Sequence, residues 1–186
     1  MSADVKTAKT ELRRTLRLRQ SALSADYVHA ASDRIQGLVL SSSAYREAQS
    51  ICLYLHMPYE PATDRILRQA LADGKTVYVP KCVSRTEMLA VRIRDLSGMK
   101  PGAFGIPEPA DITETRAAAD LDLILVPCLS AAPDGRRLGH GAGYYDRFLA
   151  GAGLTGRAVC LCFRRMLCGE IPADDYDIRI PQIITE

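Results

Sequence analysis

Leu121–Pro127, LDLILVP, is a short apolar run closed by a proline, and it is followed by a glycine-rich segment, Arg136–Arg147, RRLGHGAGYYDR. The run reads as an apolar strand. After this loop, Gly143–Ala150 reads as the next helix. This order of strand, glycine-rich loop and helix is the repeating unit of an α/β sheet.

Working outward, the same alternation recurs. Upstream, Lys6–Leu23 reads as a helix with Leu12, Leu16 and Leu23 on one stripe and arginines around the rest. Ser24 suits the cap of a second helix, with Val28, Ala31, Ile35, Leu38 and Val39 as its apolar face. Ile51–Leu55 reads as a buried strand, and Glu60–Pro61–Ala62–Thr63 leads into a helix with Ile66, Leu67, Ala70 and Leu71 inward and Gly74 as its stop. Thr76–Pro80 and Met88–Ile93 are further strands, and Lys100–Pro109, rich in Gly and Pro, is expected to be loop. Downstream, Arg157–Phe163 is a strand, and the mixed tail ends in an apolar pair, Ile183–Ile184. The expected fold is α/β, a three-layer sandwich with a mostly parallel sheet, formed by residues 1–186 as one domain. In such sheets ligands bind outside the carboxyl ends of the strands.

Bulk properties narrow the function classes. The chain has 186 residues, 47% hydrophobic and 25% charged, with a formal net charge of +2. That balance does not suggest a nucleic-acid partner. No apolar run reaches the roughly 18 residues of a membrane span, and the first residues lack the apolar segment of a secretory signal. Asp4 and Glu11 argue against a transit peptide, so a cytoplasmic location is expected. The six cysteines contain no Cys-x-x-Cys pair, which leaves buried, reduced thiols as the expected state.

The chemistry is expected at Arg136–Arg147. Gly139, Gly141 and Gly143 alternate, so the backbone can approach a ligand without Cβ atoms in the way. N–H groups there suit phosphate oxygens, Arg137 and His140 add donors, and Asp146 could hold a magnesium ion. On spacing alone two readings stand: a phosphate-binding loop, or a structural turn whose tyrosines pack on the core. The segment is neither a Walker-type loop nor a dinucleotide fingerprint.

RLGHGAGYYDR resembles the signature of the 5-formyltetrahydrofolate cyclo-ligase family, RLG-(Arg or other)-G-x-GYYDR. Other matches run in order along the chain. Lys9, Leu12 and Arg13 resemble the family's N-terminal Lys-x-x-Leu-Arg. Tyr54–Glu60 (YLHMPYE), with Thr63, resembles its substrate-contacting strand end, and Phe104–Pro109 (FGIPEP) a common loop. Asp177, ahead of the terminal IITE, matches the family's C-terminal aspartate.

The resemblance implies a fold related to the ribose-5-phosphate isomerase and CoA-transferase group. It implies an ATP- and magnesium-dependent enzyme that closes 5-formyltetrahydrofolate to 5,10-methenyltetrahydrofolate through a phosphorylated imidate, releasing ADP and phosphate. ATP would meet Lys9, Arg13 and the loop Arg137, Leu138, Gly139, His140, Gly141, Ala142, Gly143, Tyr144 and Tyr145. Of these, Lys9, Arg137, Tyr144 and Tyr145 would be catalytic. The folate would meet Leu55, Glu60, His140, Gly141, Ala142, Gly143 and Tyr144, with Met57 and Phe104 as candidates for the apolar wall. Asp146 and Asp177 would hold Mg2+. The expected partners are ATP and a reduced folate, and the expected state is a monomer.

Each charged residue also has a plainer reading. Lys9 and Arg13 would be solvated charges on a helix face, Glu60 a first-turn glutamate favoured by the helix dipole, and Asp177 an exposed carboxylate. The chain departs from the family at His140, often Arg, at Met166, usually Gln, and at Pro181, usually Asp. Neutral imidazole supplies less charge to phosphate than arginine. A divergent ATP-dependent enzyme, or a folate- or nucleotide-binding relative without turnover, are the competing readings.

Overall fold

The computed structural model describes residues 3–102, 105–153 and 157–186. Helices α1 (Ala3–Ser21), α2 (Ala25–Ser41) and α3 (Ser43–Glu47) lead into strand β1 (Ser50–Cys52). Then follow α4 (Asp64–Ala72), β2 (Thr76–Cys82), β3 (Met88–Ile93), β4 (Met99–Pro101), β5 (Pro107–Pro109) and β6 (Thr115–Arg116). The chain continues through β7 (Leu123–Pro127), β8 (Ser130–Ala131), β9 (Arg137–Leu138), α5 (Tyr144–Leu149), β10 (Ala158–Leu161) and β11 (Gln182–Ile184).

Seven strands form the main sheet in the order β11-β10-β7-β1-β2-β3-β6. The first five are mutually parallel, and β3 and β6 add two antiparallel pairings at one edge. The fold is therefore mixed α/β around a mostly parallel sheet, as expected. β7 lies near the middle, and Leu123–Val126 are all buried. Each such side chain contributes about 1.5–3 kcal/mol by leaving water.

Helix boundaries follow local chemistry. The Ser24 hydroxyl accepts from Tyr27 N at 3.2 Å and starts α2, which buries Ala31, Ile35 and Val39. Gly74, at φ +73°, turns the chain out of α4, while Lys75 N donates to Ala70 O at 2.9 Å. The Asp122 carboxylate accepts from Gln49 N, Ser50 N and the Ser50 hydroxyl at 3.1, 2.8 and 2.8 Å. It thereby ties the start of β1 to the start of β7.

One expectation is corrected. Lys100–Pro109 is not all loop, because β4 and β5 pair antiparallel through Met99–Pro109 and Pro101–Pro107. Its three prolines are tolerated because a separate two-stranded ribbon demands few ladder donors. Phe104 lies outside the described residues.

The connectivity sets where a binding crevice is expected. From β1 the chain moves to β2 on one side, then returns through β7, β10 and β11 on the other. Connections leaving β1 and β7 therefore diverge at their carboxyl ends, the switch point where α/β sheets take ligands. The segment ending in Glu60 follows β1, and the glycine-rich loop follows β7.

Candidate active site

Past β1 the chain folds into a turn held by its own hydrogen bonds. The Thr63 hydroxyl donates to Tyr54 O at 2.6 Å, the Tyr54 hydroxyl donates to Pro61 O at 2.8 Å, and Glu60 N donates to Met57 O at 2.9 Å. This turn buries the Glu60 carboxylate to 3% exposure, where Oε2 accepts from Met57 N at 2.9 Å. A first-turn glutamate attracted only by a helix dipole would stay in water. Leu55 is half-buried against the core, and Met57 is half-buried beside it.

Past β7 the short β8–β9 hairpin returns the chain to Gly139–Gly143. Gly141 and Gly143 adopt φ of +115° and +69°, which a side chain would strain. Gly143 then caps α5. The loop is braced from below: Arg147 Nη2 donates to Ala142 O at 2.7 Å, and its Nε donates to Thr86 O at 2.5 Å. The Tyr144 hydroxyl donates to Ser84 O at 2.9 Å. These contacts to the β2–β3 turn left no periodic trace in the sequence.

The two regions meet. His140 Nε2 lies 3.0 Å from Glu60 Oε1, and the His140 ring packs edge-on to Tyr59 at 6.0 Å. The phenol of Tyr145 is enclosed without a hydrogen-bond partner among the described residues. Burial, then the nearby Cys52 and Glu60, push its pKa well above the ordinary value. A buried hydroxyl left unpaired near a carboxylate calls for a partner from outside the chain, an ordered water or a ligand.

Helix α1 supplies cations to the same rim. Lys9 is only 6% exposed and pairs with Asp177, with Asp174 at 3.4 Å, so it is not a solvated surface charge. Arg13 Nε donates to Gly139 O at 3.0 Å, and its guanidinium carbon lies 3.6 Å from where a Cβ on Gly141 would stand. Burial, then the charge of Arg17, lower the Arg13 pKa. Arg137 bridges Asp146 Oδ1 at 2.9 Å and Ile178 O at 2.5 Å, while Ile178 N donates to the same Asp146 oxygen at 3.1 Å.

Asp146 and Asp177 are thus brought to adjoining positions of one polar cluster. Asp177 is half-buried, unlike an exposed tail carboxylate. The described residues hold no cluster of three His, Cys, Asp or Glu suited to a metal. Magnesium needs less protein than that, because it takes one or two carboxylates and completes its shell with phosphates and water. Asp146 Oδ2 and Asp177 Oδ1 make no hydrogen bond among the described residues, so the donor set fits such an ion.

Other expected residues sit differently. Leu138 is 2% exposed, and its carbonyl accepts from Leu129 N at 2.8 Å, so its side chain is core. Met166 is buried in a single 3₁₀ turn, and Pro181 is exposed beside Gly135. Asp174 and Ile178 were missed by the sequence reading. Both serve the cluster through a turn whose shape only tertiary contacts define.

A family model described as the 5-formyltetrahydrofolate cyclo-ligase family matches residues 5–186. The chain belongs to that family. Curated cyclo-ligase relatives include a probable 5-formyltetrahydrofolate cyclo-ligase of Caenorhabditis elegans, 28% identical over 100% of this chain and 96% of that protein. The mouse 5-formyltetrahydrofolate cyclo-ligase is also 28% identical, over 98% of this chain and 95% of its own. Among solved structures, the 5,10-methenyltetrahydrofolate synthetase of Aquifex aeolicus superposes with a TM-score of 0.82 at 27% identity, covering 94% of this chain and 88% of that one. The Mycoplasma pneumoniae synthetase, at 24% identity and a TM-score of 0.74, shares the fold.

Proposed function

We propose that this cyclo-ligase family member converts 5-formyltetrahydrofolate and ATP, with Mg2+ as cofactor, into 5,10-methenyltetrahydrofolate, ADP and phosphate. The Glu60–His140 contact carries this reading, because it joins the proposed folate carboxylate to the proposed phosphate loop at one crevice.

An amide-like formyl oxygen is a poor leaving group at neutral pH. Its attack on the γ-phosphorus, with ADP departing, gives a phosphorylated imidate. The second folate nitrogen then attacks the formyl carbon and gives up its proton, the C–O bond to phosphate breaks with phosphate leaving, and the ring closes. Phosphoryl transfer of this kind depends on positioning and charge neutralisation.

The residues divide that work. Glu60 can accept pterin N–H donors and fix the ring, with the enclosed Tyr145 hydroxyl beside it as a donor. Backbone N–H groups of Gly139–Gly143, and the Tyr144 anchor on Ser84, shape the phosphate cradle. Lys9 and Arg137 hold carboxylate oxygens in the free site and are placed to exchange them for phosphate oxygens. Mg2+ held by Asp146 and Asp177 would supply charge to the phosphates. We further propose a cytoplasmic monomer without nucleic-acid or membrane partners.

The test is direct. Mixing the protein with ATP, Mg2+ and 5-formyltetrahydrofolate should raise the near-ultraviolet absorbance of the methenyl product. The rise should vanish without ATP or on chelation of Mg2+. Tight folate binding with no such rise would replace catalysis with storage.

A further inference from the structure

Lys9 has two carboxylates beside it, and the proposed mechanism uses only one. Its ammonium pairs with Asp177, and Asp174 Oδ2 lies 3.4 Å away. Both carboxylates come from one turn, closed by Asp177 N donating to Asp174 O at 3.1 Å. Inside that turn Asp174 N donates to Asp177 Oδ2 at 2.7 Å, and Tyr176 N donates to Asp174 Oδ1 at 3.0 Å. The second of these bonds fixes one Asp174 oxygen within the turn and leaves the other on Lys9. Tyr176 N first, then the Lys9 charge, hold the Asp174 carboxyl below its ordinary range against the opposing effect of burial.

The two acids differ in access. The Asp174 side chain is 14% exposed and that of Asp177 24%, while that of Lys9 is 8%. Asp177 Oδ1 makes no hydrogen bond among the described residues, whereas each Asp174 oxygen already has a partner. Asp177 is therefore the acid that an ion from solution can reach. Asp174 is the drier partner, where water weakens attraction to an ammonium less.

This arrangement conflicts with metal binding unless Lys9 changes partner. A divalent ion on Asp177 would share that carboxylate with the Lys9 ammonium, and the two cations repel. Lys9 is buried, so it needs another counter-charge once Asp177 serves the metal. Asp174 is already beside it. An ammonium has three donors, so it can keep Asp174 while it turns another toward a phosphate oxygen. We propose that Asp174 is a positioning residue, which takes over Lys9 as the metal takes Asp177 and so keeps Lys9 in place for the nucleotide phosphates. This rests on the ATP and Mg2+ reading above.

The test is a double-mutant cycle read by metal binding without turnover. Mn2+ replaces Mg2+, a non-hydrolysable ATP analogue is present, and electron paramagnetic resonance reports free Mn2+. Asp174→Asn should weaken Mn2+ binding about tenfold, because Lys9 then stays on Asp177, and Asp174→Glu should recover most of the loss. With Lys9→Met there is no ammonium to hand over, so adding Asp174→Asn should change Mn2+ binding by less than about twofold. In steady-state kinetics Asp174→Asn should raise KM for ATP and leave KM for the folate within about twofold of the parent. Asp174→Ser serves the same cycle if the Asn variant melts early without ligand. An equal loss of Mn2+ binding with and without Lys9 would make Asp174 a direct source of charge for the metal and overturn the proposal, as would no loss in either background. A parent that binds no Mn2+ even with the analogue would sink the ATP and metal reading itself. Normal parent binding with an uncoupled cycle would sink this inference alone.

Discussion

Replacing Asp146 with Asn separates its structural work from its proposed chemical work. In the free protein Asp146 Oδ1 accepts from Arg137 at 2.9 Å and from Ile178 N at 3.1 Å. The Arg137 side chain is only 5% exposed, but Asp146 is 28% exposed, so water softens the loss. A fully buried pair broken on one side costs about 3–5 kcal/mol, and a hydrogen bond to a charged group about 1.5–3 kcal/mol. The lower range applies here, because the amide oxygen of Asn can still accept from Ile178 N. For a chain of this size that lowers Tm by roughly 3–12 °C. Turnover should fall far more, by about 10²–10³-fold, since the charge proposed to hold the metal is gone. Circular-dichroism melting without nucleotide gives the first number, and methenyl formation assayed well below Tm gives the second. A variant that melts early yet turns over like the parent would refute the metal role and leave Asp146 as a brace for Arg137.

Glu60→Gln keeps the size of the side chain but removes the charge facing His140; KM for 5-formyltetrahydrofolate should rise at least about tenfold while KM for ATP moves little, checked by steady-state kinetics. Gly141→Ala forces a Cβ into a backbone at φ +115° and should cost about 1–3 kcal/mol of stability, read by urea unfolding, along with weaker nucleotide binding by calorimetry. Burial raises the Asp122 pKa, but the Ser50 hydroxyl and the Ser50 and Gln49 amides outweigh it and hold the carboxyl below its ordinary range. Its contribution to stability is therefore complete above the unfolded value near about 4 and is lost as pH falls through the lower folded value. Asp122→Asn should destabilise at neutral pH and flatten that acid limb in melting curves taken from about pH 2 to 7.

The elements with a period were readable in advance, and those without one were not. β7 declared itself because both faces are buried and every position is apolar, and α4 because Ile66, Leu67 and Ala70 recur at helical spacing. β6, β8 and β9 have two residues each, too few to alternate. The β4–β5 ribbon hid behind its prolines and glycines. At the site, the glycine loop and Glu60 were legible as segments, but their contact was not. It arises from strand order, which places β7 next to β1 although many residues separate them. Lys9 was ambiguous for the same reason: on its own helix it is one more charge, and only the 174–178 turn makes it a buried ion-pair partner.

The most direct measurement is a structure of the protein with Mg2+, a non-hydrolysable ATP analogue and 5-formyltetrahydrofolate. We expect phosphates against Gly139–Gly143, the metal on Asp146 and Asp177, and the pterin on Glu60, all in the crevice between the β1 and β7 ends. Nucleotide and folate held in separate places, with the Glu60–His140 crevice filled by neither, would contradict the arrangement.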